Sequence, residues 1–141
     1  MNAAAVALPT ETPVTVEIAG DVDVVLARKE GRALGRRLGF SSTDLVVVPT
    51  AISELARNIL RYAGRGEIVM SGVRAGWRTG IEVIATDSGP GIVDITLALQ
   101  DGYSSSGSLG LGLPGVRRLV DDFEIHSVPG EGTVVRMVKW R

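Results

Sequence analysis

No cysteine occurs in the chain, so a disulfide framework and a thiolate metal site are both excluded, and the protein is expected to suit a reducing cytoplasm. Aromatic residues are nearly as scarce, with two Phe, two Tyr and two Trp among 141 residues. The core must therefore be aliphatic, built from the Val, Leu, Ile and Ala that dominate a 45% apolar composition. A single histidine, His126, has no second His and no Cys to join it, which removes it as a metal or catalytic centre. Charge of one sign is missing too. The formal net charge is −1 and no run of Lys or Arg occurs, so nucleic acid is not an expected partner. Long apolar runs are absent: Met1 to Leu8 is apolar but too short to span a bilayer and lacks the Lys or Arg that opens a signal peptide. No membrane association is expected, and residues 1–13 read as a loose tail on one domain, 1–141.

Glycine, by contrast, is abundant. Eighteen occur, nearly twice the average usage of about 7%, and many fall between positions 89 and 132. Such a distribution exposes backbone N–H groups, as a phosphate-cradling loop requires. The remaining pattern alternates strands with helices. Val14 to Ile18 has the two-residue period of a half-buried strand, and Gly20-Asp21 ends it and opens a helix. In that helix Val22, Val25, Leu26, Leu34 and Leu38 recur at helical spacing and are expected to face a sheet, with Gly39 at its left-handed end. A second helix runs from Thr43-Asp44 to before Gly64, with Ile52, Leu55, Ile59 and Tyr62 on one face. Pro49 falls inside it and predicts a kink or a fresh start, since proline lacks the N–H and disfavours helical geometry before it. Glu67 to Val73 and Gly80 to Thr86 read as a hairpin, Leu111 to Val120 as a helix, and Phe123 to Val128 and Thr133 to Trp140 as strands about the turn Pro129-Gly-Glu-Gly132. The expected fold is an α/β two-layer sandwich, a mixed β-sheet with helices on one face.

Three segments carry chemistry. Glu54-Leu-Ala-Arg-Asn58 places a carboxylate and an amide four residues apart, hence on one helix face, with Arg57 and Arg61 beside them. Asp87-Ser-Gly-Pro-Gly91 ends the strand in which Ile81, Val83 and Ala85 alternate with Glu82, Ile84 and Thr86. Gly107-Ser-Leu-Gly-Leu-Gly-Leu113 leads into the next helix without the Gly-Lys-Ser/Thr ending of a Walker loop. Each alone is weak: Asp87 by itself is a turn-forming residue, and Arg57 or Arg61 by itself is an ion-pair partner for Glu54. Their order and spacing resemble the GHKL ATPases and kinases. The stretch from Asp101 to Leu119 and the turn Gly130-Glu-Gly-Thr133 further resemble the RsbT-type serine/threonine kinases of bacterial partner-switching pathways, over about Val14 to Trp140.

That resemblance implies an ATP site and a role for each residue. Glu54 would be the catalytic base, taking the proton of an acceptor hydroxyl. Asn58 would bind ATP through Mg²⁺, an ion that takes oxygen ligands and bridges phosphates, and Arg61 would neutralise phosphate charge. Asp87 would accept the adenine amino group in a charge-assisted hydrogen bond, with Gly89 and Gly91 letting the base approach the backbone and Thr133 as a second polar residue on the adenine side. Residues 92–109 would form the ATP lid, and Gly107, Gly110, Leu111 and Gly112 would present N–H groups to phosphate at a helix start. Ser104 to Ser106 are read as solvating that lid. The implied partners are STAS-domain antagonist and scaffold proteins (RsbS-like and RsbR-like), phosphorylated on Ser or Thr, and a PP2C-type phosphatase (RsbU-like) activated by the released kinase. Two alternatives share the site: an anti-sigma factor kinase of the SpoIIAB kind, and a nucleotide-gated binding module without phosphotransfer. A histidine kinase fragment fits less well, because no helix with a phosphoacceptor His precedes the motifs.

Overall fold

The computed structural model describes residues 5–8, 11–91, 99 and 112–141. Six strands and three helices occur among them: β1 (Val6–Ala7), β2 (Val14–Ile18), α1 (Asp21–Arg37), α2 (Asp44–Tyr62), β3 (Gly66–Ala75), β4 (Arg78–Asp87), α3 (Gly112–Leu119), β5 (Asp122–Val128) and β6 (Gly132–Trp140). β1 and β2 share one edge of β3, and β4, β6 and β5 follow on its other side. The two-layer α/β plan is the expected one. Every described pairing is antiparallel, however, where a mixed sheet was expected. The reason lies in the connections: α1 and α2 together return the chain between β2 and β3, whereas a parallel pair needs a one-way crossover.

Residues 6–8 of the segment expected as a loose tail are tied down. Val6 and Ala7 pair with Arg74 and Val73, and the Leu8 N–H donates to the Gly72 carbonyl at 2.9 Å.

α1 opens where the Asp23 carboxylate accepts the N–H groups of Ala19 and Gly20, at 2.8 and 3.1 Å, satisfying donors that a helix start leaves bare. It ends at Gly39 in the left-handed region, as expected. Its buried face is not the expected one. Val24, Ala27, Gly31, Leu34 and Gly35 are buried with Leu38, while Val22, Val25 and Leu26 face solvent, Val22 being 81% exposed. Two glycines rotate the stripe. α1 packs against α2 closely enough that a Cβ on Gly31 would overlap Ile52 Cδ1, and one on Gly35 would stand 2.9 Å from Leu45 Cδ2.

α2 runs through Pro49 without a fresh start, which corrects one of the two outcomes expected there. Proline removes a single intrahelical bond, and the packing of Val48, Ala51, Ile52 and Leu55, each nearly inaccessible, holds the helix in register. The hydroxyls of Thr50 and Ser53 donate back to the carbonyls of Val46 and Pro49, at 2.7 and 3.0 Å.

The aliphatic core lies between the helices and the inner face of the sheet, with Ile68, Met70, Ile81, Val83, Val135 and Met137 from the strands. A smaller cluster of Val73, Ala75, Val138 and Trp140 covers one end of the other face. Among the described residues no helix is long and apolar enough to cross a membrane.

Candidate nucleotide site

α2 is unusual in what it buries. Ser53, Glu54 and Asn58 are 3%, 5% and 8% exposed, on a face otherwise lined by Ile52, Leu55 and Ile59. Taking polar groups out of water costs free energy unless each finds a partner. Glu54 finds two: Oε1 accepts from Arg57 Nη1 at 2.7 Å, and Oε2 accepts from the Gly112 N–H, at the start of α3, at 3.1 Å. A guanidinium and the N-terminal end of a helix thus share one carboxylate, and together they fix its position. Arg57 is the ion-pair partner of Glu54. Arg61, half-buried one turn further along the same face, makes no ion pair among the described residues.

No hydrogen bond among the described residues holds the Asn58 amide, which belongs to a residue 8% exposed and keeps contact with solvent, since no fully buried side-chain nitrogen or oxygen among them lacks a partner. An amide left open beside a fixed carboxylate is a suitable donor set for a hard cation, because its oxygen is a neutral oxygen ligand. Among the described residues no cluster of three or more His, Asp or Glu offers another metal site. The Asn58 amide oxygen therefore fits as one ligand of a magnesium ion.

The second half of the site lies at the end of the sheet. Asp87 closes β4, on the same face as Val83 and Ala85, and is 7% exposed. Its Oδ1 accepts the Gly89 N–H at 3.0 Å, which shapes the turn and leaves Oδ2 for another donor. Gly89 lies against the end of α2: an added Cβ would come 2.5 Å from the Ala63 Cβ and 3.0 Å from the Tyr62 carbonyl oxygen. That close approach draws the Asp87 turn onto the helix that carries Asn58. Gly91 adopts φ +78°, and a Cβ there would press on the Val128 carbonyl at 2.6 Å.

Thr133, 4% exposed, stands opposite Asp87 in the β4–β6 register. Its hydroxyl shares a 2.8 Å hydrogen bond with Ser127 Oγ, and Ser127 Oγ also lies 3.2 Å from the Gly132 carbonyl. The sequence reading did not single out Ser127. Only its cross-strand register with Thr133 places it there, and register is invisible before the strands are paired.

Glu54, Asn58, Arg61, Asp87, Gly89, Gly91, Gly112 and Thr133 thus belong to α2, the ends of β4 and β6, and the start of α3. Gly107, Gly110 and Leu111, and the lid expected at 92–109 apart from Leu99, lie outside the described residues. A cleft of about 470 Å³ also touches Asp87. Its walls combine Glu17, Glu67 and Thr86, a cross-strand row that alternates away from the core, with Ile18, Gly66 and Asp87 of the adjacent row at the end of the sheet.

The model of the histidine kinase-like ATPase domain matches residues 18–139. The chain belongs to this family. Within the histidine kinase-like ATPases, it is 50% identical over 125 residues to the serine/threonine-protein kinase RsbT of Bacillus subtilis (strain 168), covering 89% of this chain and 94% of that protein. An anti-sigma F factor of Thermoanaerobacter sp. (strain X514) is 31% identical over 120 residues, 81% of this chain and 82% of that one. The anti-sigma F factor of Pasteuria penetrans is 32% identical over 103 residues, 68% of each chain. The RsbT-type resemblance expected from the motifs is borne out, and with it a serine/threonine protein kinase on a GHKL fold.

Proposed function

We propose that this kinase transfers the γ-phosphoryl group of Mg-ATP to a serine or threonine hydroxyl of a STAS-domain partner in the cytoplasm and, once released from such partners, activates a PP2C-type phosphatase. The observation that carries the phosphotransfer reading is the buried pair on α2, a fixed Glu54 carboxylate one turn from an unpartnered Asn58 amide. Asp87 holds the adenine amino group through its uncommitted oxygen, with Thr133 on the same side, and Arg61 faces the phosphates. Asn58 would hold the magnesium ion, whose charge would offset that of the phosphates. Glu54 accepts the proton of the acceptor hydroxyl as that oxygen bonds to the γ-phosphorus; the bond to the bridging oxygen breaks, and ADP leaves with the electron pair.

Each Glu54 oxygen accepts one hydrogen bond here and has a lone pair left. The Gly112 N–H that Oε2 now accepts belongs to the helix start expected to face phosphate, and on this reading the phosphate takes that N–H and leaves Oε2 to the proton.

The test is transfer of labelled γ-phosphate from Mg-ATP to a STAS-domain protein encoded beside this one, with phosphosite mapping and Asn58→Ala as control. Label on a Ser or Thr that disappears in the variant supports the reading; ATP binding without transfer replaces it with a nucleotide-gated module. The anti-sigma F relatives favour a second reading, in which the kinase also holds a sigma factor. A direct pull-down with a purified sigma factor separates the two.

A further inference from the structure

We propose that the tip of the β3–β4 hairpin is a docking point for the protein acceptor, a surface that presents acidic groups around an apolar notch. This rests on the kinase reading above and adds where the acceptor is held.

The tip is a two-residue turn, Gly76-Trp77, between the paired residues Ala75 and Arg78. Gly76 has φ +61° and Trp77 has no positive φ, the arrangement of a type II′ turn, which matches strand twist and holds its residues firmly. On this rigid mount Trp77 is 88% exposed, the most exposed large apolar side chain among the described residues. Folding gains almost nothing from an indole left in water, whereas an interface gains a large contact area from one at little entropic cost.

Two arginines flank it, one on each face of the hairpin. Arg74 makes no ion pair among the described residues and pairs across strands with Val6, itself 60% exposed. Arg78 stacks over the Trp140 ring with its guanidinium 4.7 Å from the centroid, which fixes it in place without neutralising it. Tryptophan and arginine are the residue types that dominate binding hot spots, and two unneutralised guanidinium groups select an acidic partner. One indole and two cations are too little for stable membrane anchoring, which takes two strong signals, so a protein is the favoured occupant.

The distance suits an acceptor. β4 runs from Arg78 at this tip to Asp87 at the nucleotide end, ten residues or about 30 Å. An acceptor domain of about 100 residues, with a radius of gyration near 13 Å, spans that length. One end of it is held at the hairpin while its hydroxyl is offered to the nucleotide at the other.

The test uses the full chain and the STAS-domain protein of the transfer assay. In Trp77→Ser/Arg74→Glu, the KM for that protein is expected to rise about tenfold or more, with kcat and the KM for ATP unchanged. An unchanged acceptor KM overturns the proposal. In Trp140→Phe, Trp77 is the one remaining indole, and its emission is expected to shift to the blue when the STAS-domain protein is added. No shift overturns docking even where phosphate is transferred. A shift without transfer supports docking and removes the phosphotransfer reading instead. A shift with phosphatidylglycerol vesicles and none with the protein overturns the proposal in favour of a membrane contact.

Discussion

α1 and α2 are of similar length, lie side by side and cover the same sheet, yet they treat their side chains in opposite ways. α1 turns Val22, Val25 and Leu26 to solvent and buries two glycines; α2 buries a serine, a glutamate and an asparagine among its aliphatic residues. Packing explains the first helix. Without side chains at Gly31 and Gly35 it settles against Ile52 and Leu45, and that close contact decides which face turns inward. Packing alone does not explain the second, because an apolar residue at Asn58 would fill the same space without placing an amide on the inward face. On the reading proposed above, the polar residues of α2 carry the chemistry and α1 supplies the backing.

The contrast can be broken at several points. The largest effect is expected from Asn58→Ala, which should abolish Mg-dependent phosphotransfer while leaving the melting temperature close to that of the parent; retained transfer would remove Asn58 from the metal site. Glu54→Gln should follow, slowing transfer by ~10² or more with ATP affinity spared. A loss of affinity instead would make Glu54 a structural cap for α3. Asp87→Asn is expected to weaken ATP binding by roughly 1.5–3 kcal/mol, the worth of a hydrogen bond to a charged group, as read by calorimetry. On α1 the effects should be on stability alone. Gly31→Val should cost about 1–3 kcal/mol in urea unfolding, because its side chain meets Ile52 inside a packed interface. The smallest is Val22→Ser on the exposed face, within about 0.5 kcal/mol of the parent. A large loss there would show that this face packs against something in the folded protein.

Much of this architecture was legible in the sequence. The strands and helices announce themselves through period and turn chemistry, and Glu54, Asn58 and Asp87 through spacing. What was not legible depends on contacts between distant segments. The true stripe of α1 is set by where α2 lies, and hydrophobicity alone points to Val22, Val25 and Leu26, the residues that ended outside. Pro49 reads as a break because local rules count the lost hydrogen bond and not the burial of Val48, Ile52 and Leu55 around it. The antiparallel sheet follows from two helices filling one connection. Ser127 comes to Thr133 through strand register, and the hold of Gly112 on Glu54 spans 58 positions of sequence, beyond any local pattern.

The central claim, that the buried polar face of α2 is where nucleotide and magnesium meet, is tested most directly by measuring ATP affinity with and without Mg²⁺ for the parent and Asn58→Ala. The account predicts that magnesium strengthens binding to the parent and that the variant loses this dependence while still binding ATP. Equal dependence on magnesium in both proteins would contradict it.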